Sequence, residues 1–340
     1  MPKKELPFEL KIPVIQAPMA GGHTTPELVA AVSNGGGLGS LGAGYMEPEA
    51  IREAIQKIRT LSSLPFNVNL FVPPPQTSSP PIERMQKILA KMWKELSSES
   101  FEVPSFSLPS FEEQVEVLIE EKVSIFSFTF GIPPSAILDQ FRDKGIKIVG
   151  TATTPEEAQK LEKANVNAIV CQGKEAGGHR GNFSTDDPFY DLSTLLKLTK
   201  EKVSTPLIAA GGLMDGPSVA HALQQGAFAA QLGTVFLTTK ESGSAPIYKK
   251  TLLQKPPLST VITKAFTGKN ARAVSNDFIN RLKGSAVPEY PIQHFLTKKL
   301  RTLATEKEKV DLMSIWAGEN YPQCQDLTVA ELLSKIIDNL

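Results

Sequence analysis

Residues 168–181 read Ala-Ile-Val-Cys-Gln-Gly-Lys-Glu-Ala-Gly-Gly-His-Arg-Gly, and this stretch predicts a buried strand that runs into a glycine-rich loop. Its apolar start has the length and composition of a strand. The loop presents one histidine, His179, and one arginine, Arg180. Glycine lets backbone N–H groups approach a ligand closely and adopt φ > 0. The loop is therefore a candidate site, although a turn with a solvent-facing histidine fits this stretch equally well.

The same strand-then-helix pattern recurs along the chain. Apolar runs alternate with helical periodicity, which is typical of βα units around a parallel sheet. Eight such repeats favour a closed (β/α)₈ TIM barrel over an open doubly wound sheet. The predicted strands cover residues 12–18, 38–41, 66–72, 123–130, 147–151, 168–172, 206–210 and 227–232. Helices are predicted over 26–34, 48–61, 134–144, 155–164, 193–202 and 216–225.

The repeats end near residue 240, which suggests how the 340 residues are divided. We predict a barrel over 1–240, a smaller and mostly helical cap over 241–310, and a C-terminal helix within 311–340 that closes on the barrel. A proline- and serine-rich segment at 73–81 interrupts the repeats after the third strand. The stretch from there to residue 111 is expected to hold a helix and a long loop, which is a common form of lid.

Composition excludes several classes of protein. Lys and Arg number 36 and Asp and Glu number 36, which argues against a nucleic-acid or membrane-surface binder. Of the two cysteines, Cys171 lies in a predicted core strand, so we expect a reducing compartment and a cytoplasmic protein. No leader peptide or membrane-length apolar run is expected. Nor does any histidine and carboxylate spacing predict a metal site.

The predicted strand ends are rich in glycine, and barrel enzymes place their chemistry at the carboxyl ends of the strands. Gly211 and Gly212 follow the seventh strand, and Gly233 and Thr234 follow the eighth. Turns at these two places often bind phosphate through backbone N–H groups. The sequence has no Walker lysine, and no GxGxxG opens the first repeat, so ATP or a Rossmann-bound dinucleotide is not expected. Alternatively, each glycine only permits a tight turn.

Four amide side chains lie within the predicted buried strands: Gln16, Asn69, Gln172 and Gln231. A buried amide without a partner costs about 1–3 kcal/mol. If these amides point into one barrel mouth, a planar ligand with N–H, N and C=O edges would satisfy them. Flavin mononucleotide (FMN) has such an edge at one end and a phosphate at the other.

The sequence resembles the nitronate monooxygenase family, formerly called 2-nitropropane dioxygenases, along essentially the whole chain. The most specific element is Ala-Gly-Gly-His-Arg-Gly at 176–181. The other segments that carry the resemblance are 16–19, 67–71, 172–175, 208–216, 231–237, 265–272 and 316–318.

The resemblance implies an FMN-dependent barrel that oxidises alkyl nitronates, such as propionate 3-nitronate, with O₂ to a carbonyl compound and nitrite. It implies that His179 is the catalytic base or orients the substrate, in a largely apolar pocket near Met19 and Phe71. If a neutral nitroalkane is accepted, His179 must remove its α-proton, which suits a pKa near neutral. The FMN contacts implied are Ala17, Pro18, Met19, Asn69, Gln172, Gly177, Gly178, Gly211, Gly212, Gln231, Leu232, Gly233 and Thr234.

Further residues are candidates for contact with an anionic substrate. Arg180 and Lys298 are candidates to hold its charge. Tyr290, His294 and Lys298 are spaced to share one helix face, which either meets the substrate or is simply solvated. The family usually has a glutamine after Ala-Gly near the C-terminus, and Glu319 stands there in this chain, which puts that contact in doubt.

Another FMN family shares the barrel and the AGGH element. These are the enoyl-acyl carrier protein reductases, which use NADH or NADPH, and a related quinone reductase is a further alternative. Arg180 and the segment 236–243 are more similar to the monooxygenases. A flavin-binding protein without catalysis remains if His179 is dispensable. His23, in the loop after the first strand, is a candidate to line the barrel mouth, although we expect it to face solvent. The sequence specifies neither the physiological nitronate nor the oligomeric state.

Overall fold

The computed structural model describes residues 7–74, 82–103, 107–184 and 187–340. The predicted segment 73–81 therefore lies, from residue 75 onward, outside the described residues. Within the described ranges the strands are β1 (Val14–Gln16), β2 (Ser40–Gly42), β3 (Asn67–Phe71), β4 (Ile125–Thr129), β5 (Lys147–Ala152), β6 (Ala168–Gln172), β7 (Gly178–His179), β8 (Leu207–Ala210), β9 (Ala229–Leu232), β10 (Thr260–Thr263) and β11 (Ala271–Val274).

Eight of these strands form one parallel sheet in the order β1-β9-β8-β6-β5-β4-β3-β2. The two ends of this order meet, because Ile15 and Leu38 form a parallel bridge between the segments of β1 and β2. The backbone N–H of Gln16 donates to the oxygen of Leu38 at 2.9 Å, and that of Leu38 donates to Val14 at 3.0 Å. These bonds close the sheet, and the predicted (β/α)₈ barrel is confirmed.

The helices surround the barrel and begin where the sequence supplies start signals. Pro26, Pro48 and Pro155 stand in the first turn of their helices, where the missing N–H would have no partner. Thr25 caps the first helix by accepting the N–H of Leu28 at 3.0 Å. The helices are α1 (Pro26–Asn34), α2 (Pro48–Leu61), α3 (Glu83–Trp93), α4 (Phe111–Glu120), α5 (Ser135–Asp143), α6 (Pro155–Lys163), α7 (Leu192–Lys202), α8 (Gly216–Gln224), α9 (Pro246–Leu253), α10 (Asp277–Leu282), α11 (Ile292–Glu306) and α12 (Val329–Ile337).

Apolar side chains fill both faces of the barrel sheet, as is usual for parallel strands. One cluster fills the barrel interior and includes Ile15, Ile125, Val149, Val170 and Ile208. A larger cluster packs the outer face of the sheet against the helices. Because both faces are occupied, the loops at the carboxyl ends of the strands are where the fold can build a cavity.

The region predicted as a mostly helical cap is only partly helical. It contains α9, α10 and α11, but also β10 and β11, which pair antiparallel. β11 also pairs with β7, opposite Gly178 and His179. The sequence analysis missed this three-stranded sheet because strands of two and four residues are too short to show a periodicity. The division of the chain into three functional units remains a prediction.

The described residues contain neither a helix suited to cross a membrane nor a cluster suited to hold a metal ion. No helix there has both the length and the apolar composition that a membrane crossing requires. Nor do three or more histidine, cysteine or acidic side chains in those ranges come together in a way that could hold a metal ion.

The barrel lies so close to α1 at Gly39 that a larger side chain there is expected to lower the free energy of unfolding. A Cβ added at Gly39 would overlap the carbonyl oxygen of Val29 in α1 and lie 2.7 Å from its carbonyl carbon. Because backbone cannot move aside cheaply, we expect Gly39→Ala to lower the free energy of unfolding by about 3 kcal/mol. Gly145→Ala is the control, since Gly145 has φ +71 and no atom near its Cβ position. It should lose only about 1–2 kcal/mol. Equal losses in urea unfolding would contradict this.

Candidate active site

A cavity opens at the carboxyl ends of the barrel strands, where the sequence analysis placed the site. Turns from opposite sides of the barrel meet there with the glycine-rich loop after β6. The cavity brings together most of the predicted site residues: Ala17, Pro18, Met19, Asn69, Gln172, Gly177, Gly178, His179, Gly211, Gly212, Gln231, Gly233 and Thr234. Their roles remain predictions, but their common location does not depend on any ligand.

One end of the cavity presents free backbone N–H groups. Gly211 and Gly212 have φ values of +127 and +71, which glycine adopts at little cost. Among the described residues, the N–H groups of Gly212, Gly233 and Thr234 donate to no protein acceptor. The hydroxyl of Thr234 accepts the N–H of Gly318 at 3.0 Å, so the C-terminal segment borders the same end. Unpaired backbone N–H groups at glycine turns of this kind can bind phosphate.

A second part of the cavity offers amide groups. The side chain of Gln231 lines the cavity and makes no hydrogen bond to another residue in the described part of the chain. Asn69 donates from Nδ2 to the hydroxyl of Ser127 at 2.9 Å, while its Oδ1 accepts from no described residue. These two amides fit the prediction of a polar edge for a planar ligand.

Three other residues singled out in the sequence already have partners within the protein or lie outside the cavity wall. Gln172 already bonds within the protein, since its Nε2 donates to the oxygen of His179 at 3.0 Å and its Oε1 accepts the N–H of Gly181 at 2.7 Å. Gln16 is fully buried and accepts the N–H of Ser40 at 2.9 Å. Leu232 is 1% exposed and belongs to the core rather than the cavity wall. The amides of Gln172 and Gln16 are therefore bonded within the protein, and the bonds of Gln172 fix the histidine loop, while its contact with a cofactor stays a prediction.

His179 lies at the inner wall of the cavity in a fixed position. Its backbone pairs with Ala271 across β7 and β11. Its Nε2 lies 2.9 Å from the hydroxyl oxygen of Thr267. The rings of Trp316 and Phe130 lie 5.3 Å and 5.7 Å from the imidazole, measured between centroids. The side chain is therefore held on three sides and meets the cavity on the remaining one.

The electrostatic surroundings of His179 oppose its protonation. Burial, with smaller contributions from the positive charges of Lys269 and Arg301, lowers the pKa of His179 to about 3. The imidazole is thus neutral at pH 7. A pKa near neutral, as expected for a base acting on a neutral nitroalkane, is therefore not what the structure gives, because the fold buries the imidazole and also brings two cations from the C-terminal region near it.

Arg180 does not reach the cavity, which contradicts its prediction as a substrate contact. Its side chain is 1% exposed and pairs with Asp187, with Nε 3.0 Å from Oδ2. Nη1 donates to the backbone oxygens of Gln172 at 2.9 Å and Gly173 at 2.8 Å. Arg180 therefore stabilises the loop from the side that faces away from the cavity. A glycine-rich loop of this length gives no sign in sequence of which side its arginine will face.

The predicted face of Tyr290, His294 and Lys298 is also wrong. α11 begins only at Ile292, so Tyr290 lies outside it, and Lys298 is exposed. His294 is 6% exposed and stacks on Tyr45 with ring centroids 4.4 Å apart. Tyr290 and His294 back the aromatic wall of the cavity, while Lys298 faces away from it.

The sequence analysis missed several residues of the cavity wall. Tyr45, Phe130 and Trp316 line it and give it much of its aromatic character. His23, which was expected to face solvent, also lines it and lies 2.9 Å through Nδ1 from the hydroxyl of Ser244. The turns after β1, β2 and β4 supply His23, Tyr45 and Phe130, so the strand-end rule applied to every strand would have found them.

Glu319, the residue that departs from the family pattern, bonds to the protein. Its carboxylate lies 2.6 Å from Nη2 of Arg272, and its backbone N–H donates to Glu175 at 3.0 Å. The next residue, Asn320, donates from Nδ2 to the oxygen of Gly212 at 2.7 Å. Glu319 is not part of the cavity wall, so its charge anchors the segment that holds Gly318.

Comparisons with known proteins show the family of the chain. A family model described as nitronate monooxygenase matches residues 5–339. A probable nitronate monooxygenase from Staphylococcus saprophyticus is 37% identical over 337 residues, which cover 97% of this chain and 95% of the relative.

Solved structures give the same picture. Nitroalkane oxidase from Streptomyces ansochromogenes has a TM-score of 0.93 and is 36% identical, covering 97% of this chain and 96% of that one. FabK from Thermotoga maritima has a TM-score of 0.76 and is 26% identical. The match covers 98% of this chain and 94% of FabK.

The fold and the cavity define a (β/α)₈-barrel oxidoreductase with its site at the carboxyl ends of the strands. The chain belongs to the nitronate monooxygenase family.

Three buried histidines predict how stability depends on pH. Burial lowers the pKa of His23 to about 4, of His179 to about 3 and of His294 to about 2. In the unfolded chain each would titrate near 6.5, so the unfolded state binds more protons below that pH. The free energy of unfolding should therefore fall as pH falls from 6.5 to 5, by up to about 1.4 kcal/mol per pH unit per histidine.

Urea unfolding at several pH values between 7 and 5 measures this slope. His23→Asn should reduce the slope by about a third. His221→Asn is the matched control, since His221 is exposed on α8 and should leave the slope unchanged. A stability that stays constant over this range would contradict the burial of these imidazoles.

Proposed function

We propose that this protein uses FMN to oxidise alkyl nitronates with O₂, giving a carbonyl compound and nitrite. The observation that carries the proposal is a single cavity that joins a cradle of unpaired N–H groups, two available amides and a neutral histidine among aromatic rings. The first two features suit the two ends of FMN, and the third suits a small anion beside it. The two cysteines are free and buried, which suits a reducing compartment such as the cytoplasm.

The residues of the cavity fit FMN. The N–H groups of Gly212, Gly233 and Thr234 would hold its phosphate, and the amides of Gln231 and Asn69 would meet the polar edge of its ring. Gly177 lies against the segment of Ala317, where a Cβ would lie 3.0 Å from the Ala317 Cα, so this wall of the cavity is flat backbone. When bound, FMN supplies the redox chemistry between the nitronate and O₂, as cofactors generally do.

The chain itself would bind and orient the substrate. Tyr45, Phe71 and Phe130 form an apolar wall that excludes water, with ring centroids 5.1 Å and 4.6 Å apart along the series. A neutral His179 can hydrogen-bond a nitronate oxygen without first losing or gaining a proton. Lys269, whose Nζ lies 4.8 Å from the Phe130 centroid, adds positive potential close to this wall.

The same surroundings disfavour a neutral nitroalkane as substrate. Its oxidation requires removal of an α-proton, and proton transfer is efficient only when the base has a pKa near the working pH. The pKa of His179, lowered to about 3, makes the imidazole a weak proton acceptor. The preformed anion, which needs no such step, is therefore the substrate that this site fits better.

The first test concerns the cofactor. Because the cavity has one cradle for one phosphate, the purified protein should contain about one FMN per chain and no FAD, as measured by mass spectrometry of the released cofactor. Flavin-free protein should bind FMN at least about 100-fold more tightly than riboflavin, because charge-assisted hydrogen bonds to the phosphate are each strong. Equal affinities by fluorescence titration, or no flavin after reconstitution, would contradict the assignment.

The second test concerns the substrate. Oxygen uptake at pH 8 should give kcat/KM for preformed propionate 3-nitronate at least about 100-fold above that for the matching neutral nitroalkane, since general-base catalysis contributes about 10²–10⁴-fold when the base is well matched. The neutral compound, freshly dissolved and containing no nitronate, is the matched control. Equal values would show that a competent base is present.

Anaerobic mixing with NADH or NADPH separates the reductase alternative. The flavin should stay oxidised over minutes. Rapid loss of its absorption at a catalytic rate would favour an enoyl-acyl carrier protein reductase or a quinone reductase on the same barrel.

A further inference from the structure

Thr267 is a buried residue that the proposed chemistry has not used. It is 1% exposed and lies in the loop between β10 and β11. Its hydroxyl oxygen lies 2.9 Å from Nε2 of His179, although the two residues are 88 positions apart in the sequence. Within the described part of the chain, the hydroxyl of Thr267 is the hydrogen-bond partner of the imidazole ring.

The hydroxyl of Thr267 has one proton and two nearby acceptors. One is Nε2 of His179 at 2.9 Å, and the other is the backbone oxygen of Lys269 at 3.4 Å. The distance to Nε2 is within the usual range for a hydrogen bond, whereas 3.4 Å lies beyond the usual 2.5–3.0 Å for a hydroxyl donor. The backbone N–H of Lys269 approaches the same hydroxyl oxygen at 3.4 Å, so it leaves the hydroxyl proton free to point at His179.

We propose that Thr267 is a positioning residue that fixes neutral His179 in the tautomer with its proton on Nδ1. A neutral imidazole has one donor and one acceptor nitrogen. If Nε2 accepts from Thr267, Nδ1 must carry the proton. Nδ1 has no hydrogen-bond partner among the described residues, and His179 lines the cavity, so this N–H is available to a ligand.

The opposite tautomer would leave the hydroxyl of Thr267 poorly bonded. Nε2–H would then donate to the hydroxyl oxygen, and the hydroxyl proton would have only the Lys269 oxygen at 3.4 Å. Thr267 is buried, so water cannot readily take that proton, and an unsatisfied buried donor is unfavourable. The backbone pairing of His179 with Ala271 keeps the ring beside Thr267 in either state.

This tautomer gives His179 a definite role, which rests on the proposed function. A ligand in the cavity meets an N–H donor and not a nitrogen lone pair. A donor stabilises the negatively charged oxygen of a nitronate, and it cannot take an α-proton from a neutral nitroalkane. The hydroxyl of Thr267 would thus decide whether the enzyme accepts the nitronate or the neutral nitroalkane.

The test uses ¹⁵N-histidine labelling of the FMN-loaded enzyme, because the ¹⁵N shifts of an imidazole report directly which nitrogen is protonated. The chain has four histidines, and the signals that disappear in His179→Asn identify His179. We expect the wild-type protein at pH 7 to show protonated Nδ1. Thr267→Val, which removes the hydroxyl at nearly constant volume, should move His179 toward the other tautomer or a mixture. Thr267→Ser keeps the hydroxyl and should keep the wild-type pattern.

Kinetics give a second readout. In Thr267→Val we expect KM for propionate 3-nitronate to rise about tenfold, the worth of one hydrogen bond, with a smaller change in kcat. Thr267→Ser should stay within about twofold of wild type. A merely structural role would instead lower kcat, FMN content and melting temperature together without changing the tautomer.

Some results would overturn the inference. Protonated Nε2 in the wild-type enzyme would do so, as would a Thr267→Val variant that keeps Nδ1 protonated. If Thr267→Val fails to fold, the wild-type spectrum and Thr267→Ser still decide between the tautomers. If the enzyme oxidises no nitronate, the proposed function fails, but the spectra still test the tautomer independently.

Discussion

The site depends on one short interaction, the antiparallel pairing of β7 with β11. β7 has only two residues, Gly178 and His179, yet it links the loop after the sixth barrel strand to the C-terminal region. The same β11 strand also forms an isolated bridge to Trp316, whose ring packs beside His179. Gln172 and Arg180 hold the histidine loop from the barrel side, and this pairing brings Thr267, Lys269 and Trp316 to its other side.

Two buried cations, Lys269 and Arg301, lie close enough to His179 to affect its protonation. Among the described residues, neither Lys269 nor Arg301 forms an ion pair with a carboxylate; Arg301 bonds instead to neutral partners such as Ser314 and His294. Burial lowers the pKa of Lys269 to about 8 and of Arg301 to about 10. Such an arrangement is unfavourable in the free protein and becomes favourable when anions bind, so binding of a phosphate or nitronate would also stabilise the fold.

Much of the barrel could be predicted because its signals are local. Apolar runs and proline start signals place strands such as β6 and helices such as α6 close to where they lie. The strand-end rule then locates Gly212, Gly233 and His179 at one mouth, because parallel strands all end at the same edge. The short hairpin of β10 and β11 was missed, since strands of four residues stabilised by a distant partner leave no pattern of their own.

The sequence by itself thus determined the barrel, the family and most of the turns that form the cavity. Tertiary structure alone decided which polar groups face that cavity. Arg180 turns inward to Asp187, and Gln172 bonds back to the loop, while Gln231 stays available. The physical reason is that local periodicity fixes where strands begin and end. By contrast, the direction of a side chain and the pKa of His179 depend on partners brought from distant parts of the chain.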